Sequence, residues 1–308
     1  MCDMTDSGSS NTLKVLDDLP MLKDPICIAA FQGFTDRSGE TIDTVRFMIE
    51  EWHATPIAEF ESEPFYDFTM TRPQVKNEQG LRKITWPKNR LYYASPPGST
   101  RDFILFEAIE PNLRWRRFTE LSINFLEQLG CNTLVTLGAL PSAVPHTRPA
   151  PIQLSATDHG WDTLFGLDIP ESSRYQGDVG IMSVFNLAVR DLEWSNASLL
   201  IQTPHYVAEM KNPRISRALL ELISSAFNIT FSYERMTDEL EIFESRIHEA
   251  LTGSGEAAEY VKQLESRYDE AAAANQLSRP KQLQDTPELP ESDDIIDELE
   301  DFLRSNRG

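Results

Sequence analysis

Polar side chains that could bind a ligand or move a proton stand just after predicted strands at several points in this chain. They are Glu110, His146, Thr147, Arg148, His159, His205 and Tyr206. An arginine can hold a carboxylate or a phosphate with two parallel hydrogen bonds, and a histidine can exchange a proton near neutral pH. In open α/β sheets, ligands bind beyond the carboxyl ends of the strands. The spacing therefore predicts one polar pocket at that edge of a sheet.

Two interpretations of this pocket remain open. In the first, His146, Arg148 and His205 bind a small molecule or carry out a reaction on it. In the second, they donate hydrogen bonds to backbone carbonyls and hold Pro-bounded loops in place, because a satisfied polar network needs the same residue types. No metal site is predicted, because single histidines at this spacing enforce no ligand geometry. No cofactor is predicted, and the sequence contains neither G-x-G-x-x-G nor G-x-x-x-x-G-K-[ST].

A second candidate site is the turn GFTDRSG, which follows the apolar run at 25–31 and precedes a predicted helix. Backbone N–H groups at the start of a helix bind anions, and an arginine would add positive charge. The possible anion-binding residues are Gly33, Arg37, Ser38 and Gly39. In the alternative interpretation, the glycines only provide the backbone angles of a tight strand-to-helix turn.

The elements that must position these groups alternate between strands and helices. Short apolar runs typical of buried strands lie at 25–31, 57–60, 90–95, 103–108, 133–137, 151–157 and 198–202. Apolar residues recur at helical spacing at 38–52, 114–129 and from 213 to 227. This alternation predicts an α/β fold with a mostly parallel central sheet. The polar residues between 65 and 83 leave a hairpin and an irregular excursion equally open.

The alternation ends near Ile229, and the remaining chain has a different character. Two apolar helical stripes on either side of Gly253–Ser254–Gly255 predict an antiparallel helical hairpin at 236–275, which we expect to contribute to self-association. The other predicted boundaries are a disordered N-terminus at 1–18, an α/β domain at 19–235 and an acidic disordered tail at 276–308. In the tail, Ile295–Leu303 forms a short amphipathic patch that could fold on a partner.

Composition restricts the possible partners. The 308 residues carry a net charge of -21, which argues against nucleic acid and anionic membranes as partners, because the overall field repels both. The three cysteines form no C-x-x-C, and Cys27 and Cys131 are predicted to be small buried hydrophobes. The sequence shows no secretory signal and no apolar run near the ~20 residues that span a bilayer. We therefore expect a cytoplasmic protein.

Five short motifs occur in order along the chain. They are GFTDRSG at 33–39, EPNLRW at 110–115, PHTRP at 145–149, YQGDVG at 175–180 and PHYV at 204–207. Each motif alone is weak, but the ordered series resembles the PAC2 family, named after proteasome assembly chaperone 2, in its actinobacterial branch. The resemblance covers about Leu19 to Phe243.

This resemblance implies properties that the residues alone do not establish. It implies a phosphorylase/hydrolase-like three-layer sandwich, similar to the fold of purine nucleoside phosphorylases. Eukaryotic relatives help to build the proteasome α-ring, and prokaryotic members are expected to self-associate as homo-oligomers, with a trimer as the expected form. No catalytic residue is established for the family, so none is assigned here.

The resemblance therefore favours a non-enzymatic interaction or assembly factor with a proteasome-related protein partner. The alternative is a binder of nucleoside-, phosphate- or carboxylate-type molecules, or a hydrolase- or transferase-like enzyme, that uses the His/Arg pocket. One departure concerns the final residues, Ser305–Gly308, which lack the hydrophobic-Tyr-X ending of proteasome-docking chaperones. That departure argues against insertion of the tail into α-ring pockets.

Overall fold

The structure is a computed structural model that describes residues 12–16, 18–78, 80–170, 175–207, 210–253 and 255–274. The predicted acidic tail at 276–308 lies outside these ranges, as do residues 1–11 of the predicted N-terminal segment. Within the described ranges, no helix combines the length and apolarity needed to cross a bilayer.

A mixed sheet of eight strands forms the centre of the molecule. The strands along the chain are β1 (Leu13–Val15), β2 (Ile26–Gln32), β3 (Thr55–Phe60), β4 (Gln74–Glu78), β5 (Leu81–Thr85), β6 (Arg90–Ala94), β7 (Phe103–Ile109), β8 (Thr133–Ser142), β9 (Ile152–Ala156) and β10 (Ser195–Pro204). The main sheet has the order β1-β3-β6-β7-β2-β8-β10-β9. Its four central strands, β7, β2, β8 and β10, are parallel, and the flanking pairs are antiparallel. The predicted α/β fold with a mostly parallel centre is confirmed.

Helices cover both faces of this sheet. They are α1 (Glu40–Glu51), α2 (Trp115–Gln128), α3 (Gly160–Phe165), α4 (Ile181–Asp191), α5 (Pro213–Phe227), α6 (Glu234–Gly253) and α7 (Gly255–Ala273). Alternate residues of β2 belong to different cores. Ile26 and Ile28 pack in the cluster that contains α1, α3 and α5, whereas Cys27 and Phe31 pack in the cluster with α2 and α4. A strand buried on both faces has a continuous apolar sequence, as β2 does.

The C-terminal helical hairpin is present and closes on the end of the sheet. Its apolar stripes include Phe243 and Ile247 of α6 and Val261 and Leu264 of α7. They pack with the one-turn 3-10 helix His205–Val207, which follows β10 directly. The inner faces of the hairpin are therefore buried within this chain.

Two segments differ from the expectations. Leu13–Val15, inside the range predicted to be disordered, pairs with β3 as an antiparallel edge strand, because Leu13 packs on the core cluster of α2 and α4. The undecided stretch after residue 65 contains a separate two-stranded hairpin, β4–β5. Cys27 and Cys131 are buried, as predicted.

Candidate functional site

The parallel pairing of β8 and β10 brings two of the predicted loops together. Pro204, at the end of β10, is in register with Ser142 at the end of β8, so both strands release their loops at the same edge. The loop after β8 carries PHTRP, Pro145–Pro149, and β10 continues into His205–Val207. The sequence pattern correctly placed these two loops side by side.

His146 and Tyr206 form the centre of this edge. The Tyr206 hydroxyl accepts a hydrogen bond from the backbone N–H of His146 at 2.7 Å and lies 2.6 Å from Nδ1 of the same residue. A hydrogen bond thus joins the hydroxyl to Nδ1, and the imidazole tautomer sets which of the two atoms donates. Tyr206 is only 1% exposed, and burial raises its pKa far above the ordinary range of tyrosine. The tyrosine is therefore a neutral, buried anchor for the PHTRP loop.

The imidazole of His146 is unsuited to acid–base work at neutral pH. Burial, followed by the nearby Arg214 guanidinium, lowers the pKa of His146 from 6.5 to about 4. The same guanidinium donates a 2.7 Å hydrogen bond to the His146 carbonyl. An efficient general acid or base has a pKa near the operating pH, and His146 does not meet this condition.

His205 uses both of its ring nitrogens inside the chain. Nδ1 donates to the carbonyl oxygen of Ser142 at 2.9 Å, and Nε2 accepts from the hydroxyl of Tyr260 in α7 at 2.9 Å. Burial is the main influence on this ring and lowers the pKa of His205. His205 thus connects the ends of β8 and β10 to the last helix.

Arg148 and Thr147 face carboxylates of α7. The Nε and Nη2 atoms of Arg148 donate to the two carboxylate oxygens of Asp269 at 2.9 and 2.8 Å, which is a bidentate pair. Thr147 donates to Glu265, and the Tyr268 hydroxyl donates to the Pro149 carbonyl at 2.8 Å. The hydrogen bonds from Arg148 hold the pKa of Asp269 below its usual range. The arginine fork predicted to bind a carboxylate already holds one from its own chain.

Glu110 lies at the same edge but in a separate network. It follows β7, and β2 lies between β7 and β8 in the sheet. Its two carboxylate oxygens accept the N–H of Phe34 at 2.6 Å and the N–H of Ile181, the first residue of α4, at 2.9 Å. A Cβ added at Gly33 would clash with this carboxylate, which explains the glycine there. Glu110 therefore connects the turn at 33–39 to the start of α4.

Directly after the predicted anion-binding residues Gly33, Arg37, Ser38 and Gly39, the first free amides of α1 are occupied by Asp36. Its carboxylate accepts the N–H groups of Thr41 and Ile42, in the first turn of α1, at 3.1 and 3.0 Å. Gly39 has a φ of 85°, which L side chains rarely adopt. Ser38 donates to the Glu40 carboxylate at 2.5 Å, and Arg37 is exposed. The sequence interpretation overlooked Asp36, although an Asp before a helix is a known capping signal.

The predicted single pocket is wrong with respect to His159. Strand β9 runs antiparallel to β10, with Ala156 opposite Ala197 near the start of β10. His159 follows the end of β9 and so lies at the opposite edge of the sheet from His146 and His205. Grouping His159 with His146 and His205 assumed that the strand before it runs parallel to β8 and β10, and β9 is antiparallel.

Helix α7 supplies the contacts that the sequence interpretation missed. They are Tyr260, Glu265, Tyr268 and Asp269. Residues 265, 268 and 269 are three or four apart and thus share a helix face, but they pair with a loop more than a hundred residues away. Within the described ranges, no group of three or more His, Cys, Asp or Glu side chains could hold a metal ion.

Comparisons with known proteins agree with this architecture. The PAC2 family model matches residues 30–251. A PAC2 family protein from Streptomyces avermitilis is 32% identical, with a TM-score of 0.68, and the match covers 77% of this chain and 100% of that one. A proteasome-assembly chaperone homologue from Mycobacterium tuberculosis is 33% identical, with a TM-score of 0.66, and the match covers 77% and 99%.

A third solved structure, a Mycobacterium tuberculosis protein of unknown function, shares the fold at 22% identity. Its TM-score is 0.77, and the match covers 89% of this chain and 94% of that one. The comparison with curated proteins gave no match. The family model covers more than half of the chain, and both actinobacterial structures above 30% identity are matched over nearly their whole length. The chain therefore belongs to the PAC2 family, in its actinobacterial branch.

Proposed function

We propose that this chain is a non-enzymatic interaction factor that assists the assembly of a larger protein complex. The observation that carries this proposal is the internal use of the strand-end polar groups. Both ring nitrogens of His205 and the guanidinium of Arg148 bind groups of the same chain, and Nδ1 of His146 binds Tyr206. Groups used in this way position elements of the fold and leave the outer surface for recognition.

The partner that we propose is a proteasome subunit or a proteasome precursor. A relative that is 33% identical is described as a proteasome-assembly chaperone homologue, and this chain aligns with 99% of it. The net charge of -21 favours a partner with basic or neutral surfaces and disfavours nucleic acid and anionic membranes. A cytoplasmic location follows from the same proposal.

Reconstitution of an actinobacterial proteasome tests this function. Purified α and β subunits are mixed with and without the full chain, and the formation of assembled particles is followed by native mass spectrometry. We expect a complex that contains the chain and an altered rate of particle formation. An unrelated protein of similar size and net charge is the control for nonspecific charge effects. Particle formation at an unchanged rate, with no mixed complex, would contradict the proposal.

Self-association is the second part of the proposal, with a trimer as the expected form. The helical hairpin buries its apolar stripes against Tyr206 and Val207 of its own chain, so its contribution to self-association would come from its outer faces. Leu187 within α4 and Leu192 directly after it are 48% and 51% exposed and are candidates for a contact between copies. Sedimentation equilibrium at micromolar concentrations measures the mass directly, and a monomer across the range contradicts self-association.

A further inference from the structure

The hairpin β4–β5 stands apart from the rest of the fold. It forms a separate two-stranded sheet, and among the described residues it shares no strand pairing with the main sheet. All residues of Gln74–Glu78 are exposed, and in Leu81–Thr85 only Thr85 is partly covered. An isolated two-stranded hairpin is marginally stable in water, and further packing on one of its faces is what stabilises such an element. The hairpin thus presents a face that lacks a covering layer in the described part of the chain.

One face of this hairpin combines apolar side chains with a basic one, because Val75 and Ile84 share it with Asn77 and Arg82. Val75 lies directly opposite Ile84 in the antiparallel register, and these side chains are 56% and 60% exposed. Trp86, two residues after Ile84, is 43% exposed and packs its ring at 4.8 Å from that of Phe68. Large apolar side chains grouped on the surface mark interaction sites more often than scattered ones do.

The same segment is basic in a strongly acidic protein. Residues 72–90 contain six Lys or Arg and one acidic residue, whereas the chain as a whole carries a net charge of -21. Lys76 is directly opposite Lys83, and like charges in this arrangement repel each other. Lys83 pairs with Glu78 at 2.8 Å, but Lys76 and Arg82 have no carboxylate partner among the described residues. The hairpin therefore favours an acidic, partly apolar partner.

The chain itself contains a segment with this chemistry. Residues 285–303 hold nine Asp or Glu and no Lys or Arg. Their apolar side chains at the C-terminal end have helical spacing and are Ile295, Ile296, Leu299, Phe302 and Leu303. As a helix, this segment would have one apolar stripe bordered by carboxylates. Such a short helix is marginal alone and is stabilised when its apolar stripe packs on a surface.

We propose that the acidic segment 285–303 docks on the β4–β5 hairpin. Its apolar stripe covers Val75, Ile84 and Trp86, and its carboxylates approach Arg82, which lies on the same face as Val75 and Ile84. Charge complementarity and the matching apolar content carry this assignment. The segment covers the exposed face of the hairpin. It comes from the same chain or from a second copy of this chain.

The connection is long enough. The described chain ends at residue 274, at the end of α7, so about 20 residues precede Ile295 and can span up to ~66 Å when extended. The hairpin lies between the end of β3 and the start of β6, at the same edge of the sheet as the loop after β8, since Glu59 pairs with Arg90 and Arg90 with Glu107. Strands β3 and β8 are four positions apart, which is ~20 Å.

Carbodiimide cross-linking of the full chain tests the contact directly. This reagent joins a carboxylate to a lysine amine only where the two touch. In the full-length variant Arg82→Lys, which places an amine on the docking face, we expect cross-links from residue 82 to carboxylates between 293 and 301, identified by mass spectrometry. Cross-links whose yield does not depend on protein concentration indicate docking within one chain. Cross-links whose yield rises with protein concentration indicate docking between copies. Both results support the proposal. Absence of any link from this segment to the hairpin overturns it.

Hydrogen exchange on full-length variants provides the second measurement. The double substitution L299S/F302S removes two apolar contacts, and R82E reverses the charge on the docking face. Each is expected to speed amide exchange in residues 74–85 at least threefold while leaving β2 and β8 unchanged. K262E, on the exposed surface of α7, is the matched control. Equal exchange of the hairpin in wild type and both variants overturns the proposal.

Discussion

The hydroxyl of Tyr260 lies 2.9 Å from Nε2 of His205, and this contact joins the last helix of the structure to the end of its central sheet. A second connection is made two turns later, where Asp269 binds Arg148. Two contacts, at Tyr260 and at Asp269, thus hold helix α7 against the loops that follow β8 and β10. His205 and Arg148, which were predicted to line a ligand pocket, hold this helix against the end of the sheet.

Replacing Tyr206 by Phe should destabilise the protein by about 1–3 kcal/mol, because it leaves the buried N–H and Nδ1 of His146 without their shared partner. Urea unfolding followed by far-UV circular dichroism measures the loss. The matched control is Tyr233→Phe, since that ring packs over Arg217 and would keep this contact. The control should change stability by less than about 0.5 kcal/mol. Equal effects of both substitutions would show that the hydroxyl of Tyr206 is dispensable.

Breaking the Arg148–Asp269 pair should loosen α7 without unfolding the α/β domain. Both side chains are substantially exposed, at 32% and 55%, so the pair is screened by salt and its effect on global stability is small. We expect faster amide exchange in 255–274 for Arg148→Ala and Asp269→Ala, with little further change when the two are combined. R246A, elsewhere on the hairpin, is the control. Fully additive effects in the double variant argue against a direct coupling.

Glu110 should be intolerant of a change as small as Glu→Gln. Its two oxygens each accept a backbone N–H, from Phe34 and from Ile181, and the amide nitrogen of Gln can only donate. One N–H would face another donor, at a cost of about 1–3 kcal/mol. Thermal unfolding of Glu110→Gln and of the exposed control Glu127→Gln measures the difference. A stability loss no larger than that of the control would contradict the two-acceptor arrangement.

Sequence periodicity captured the layers of this fold because buried strands and amphipathic helices carry their pattern locally. It identified β2, β7, β8 and β10 and brought PHTRP next to PHYV. It predicted a strand at β9 but not the direction of that strand. The direction of an edge strand is set by the connection that leads to it, and a five-residue apolar run carries no signal for it. His159 was misplaced for that reason.

The partners of the site residues were also beyond the reach of the sequence pattern. Nothing local to Glu265 or Asp269 indicates that they bind Thr147 and Arg148, since the pairs are separated by more than a hundred residues. Asp36 was within reach, because it is an acidic residue shortly before a predicted helix and can accept the first free amides, yet an external anion was considered in its place. The residue types predicted that the loops could be held by a polar network. Only the tertiary structure identified the α7 residues that complete this network.

A ligand panel should leave the thermal stability of this protein unchanged. Phosphate, nucleosides and small carboxylates would compete with Asp36, Glu110 and Asp269, which already occupy the donors that such ligands need. A ligand present at 100 times its dissociation constant adds about 2.7 kcal/mol of stability, which a thermal-shift assay detects readily. A reproducible, concentration-dependent shift with any member would revive the small-molecule interpretation.

Glu40 and His146 should affect stability in opposite directions as the pH changes. Burial is the main cause that raises the pKa of Glu40 from 4.5 to about 7, with Asp36 adding to it. The folded protein then keeps a proton that the unfolded chain releases, so this stabilisation is complete below pH 4.5 and is lost as the pH rises to about 7. The pKa of His146 is lowered to about 4, so its contribution is complete above pH 6.5 and is lost as the pH falls towards 4.

The substitution Glu40→Gln isolates the first of these contributions. Gln can still accept the hydroxyl of Ser38 and cannot titrate, so the variant should gain stability relative to wild type by up to about 3 kcal/mol between pH 4.5 and 7. Urea unfolding at four pH values across this window measures the slope. His146→Asn is the matched variant, because it removes the opposing slope and should make stability fall more steeply with rising pH than in wild type. A constant difference between Glu40→Gln and wild type would mean that Glu40 is ionised in the folded protein throughout, and that its burial beside Asp36 is relieved by water.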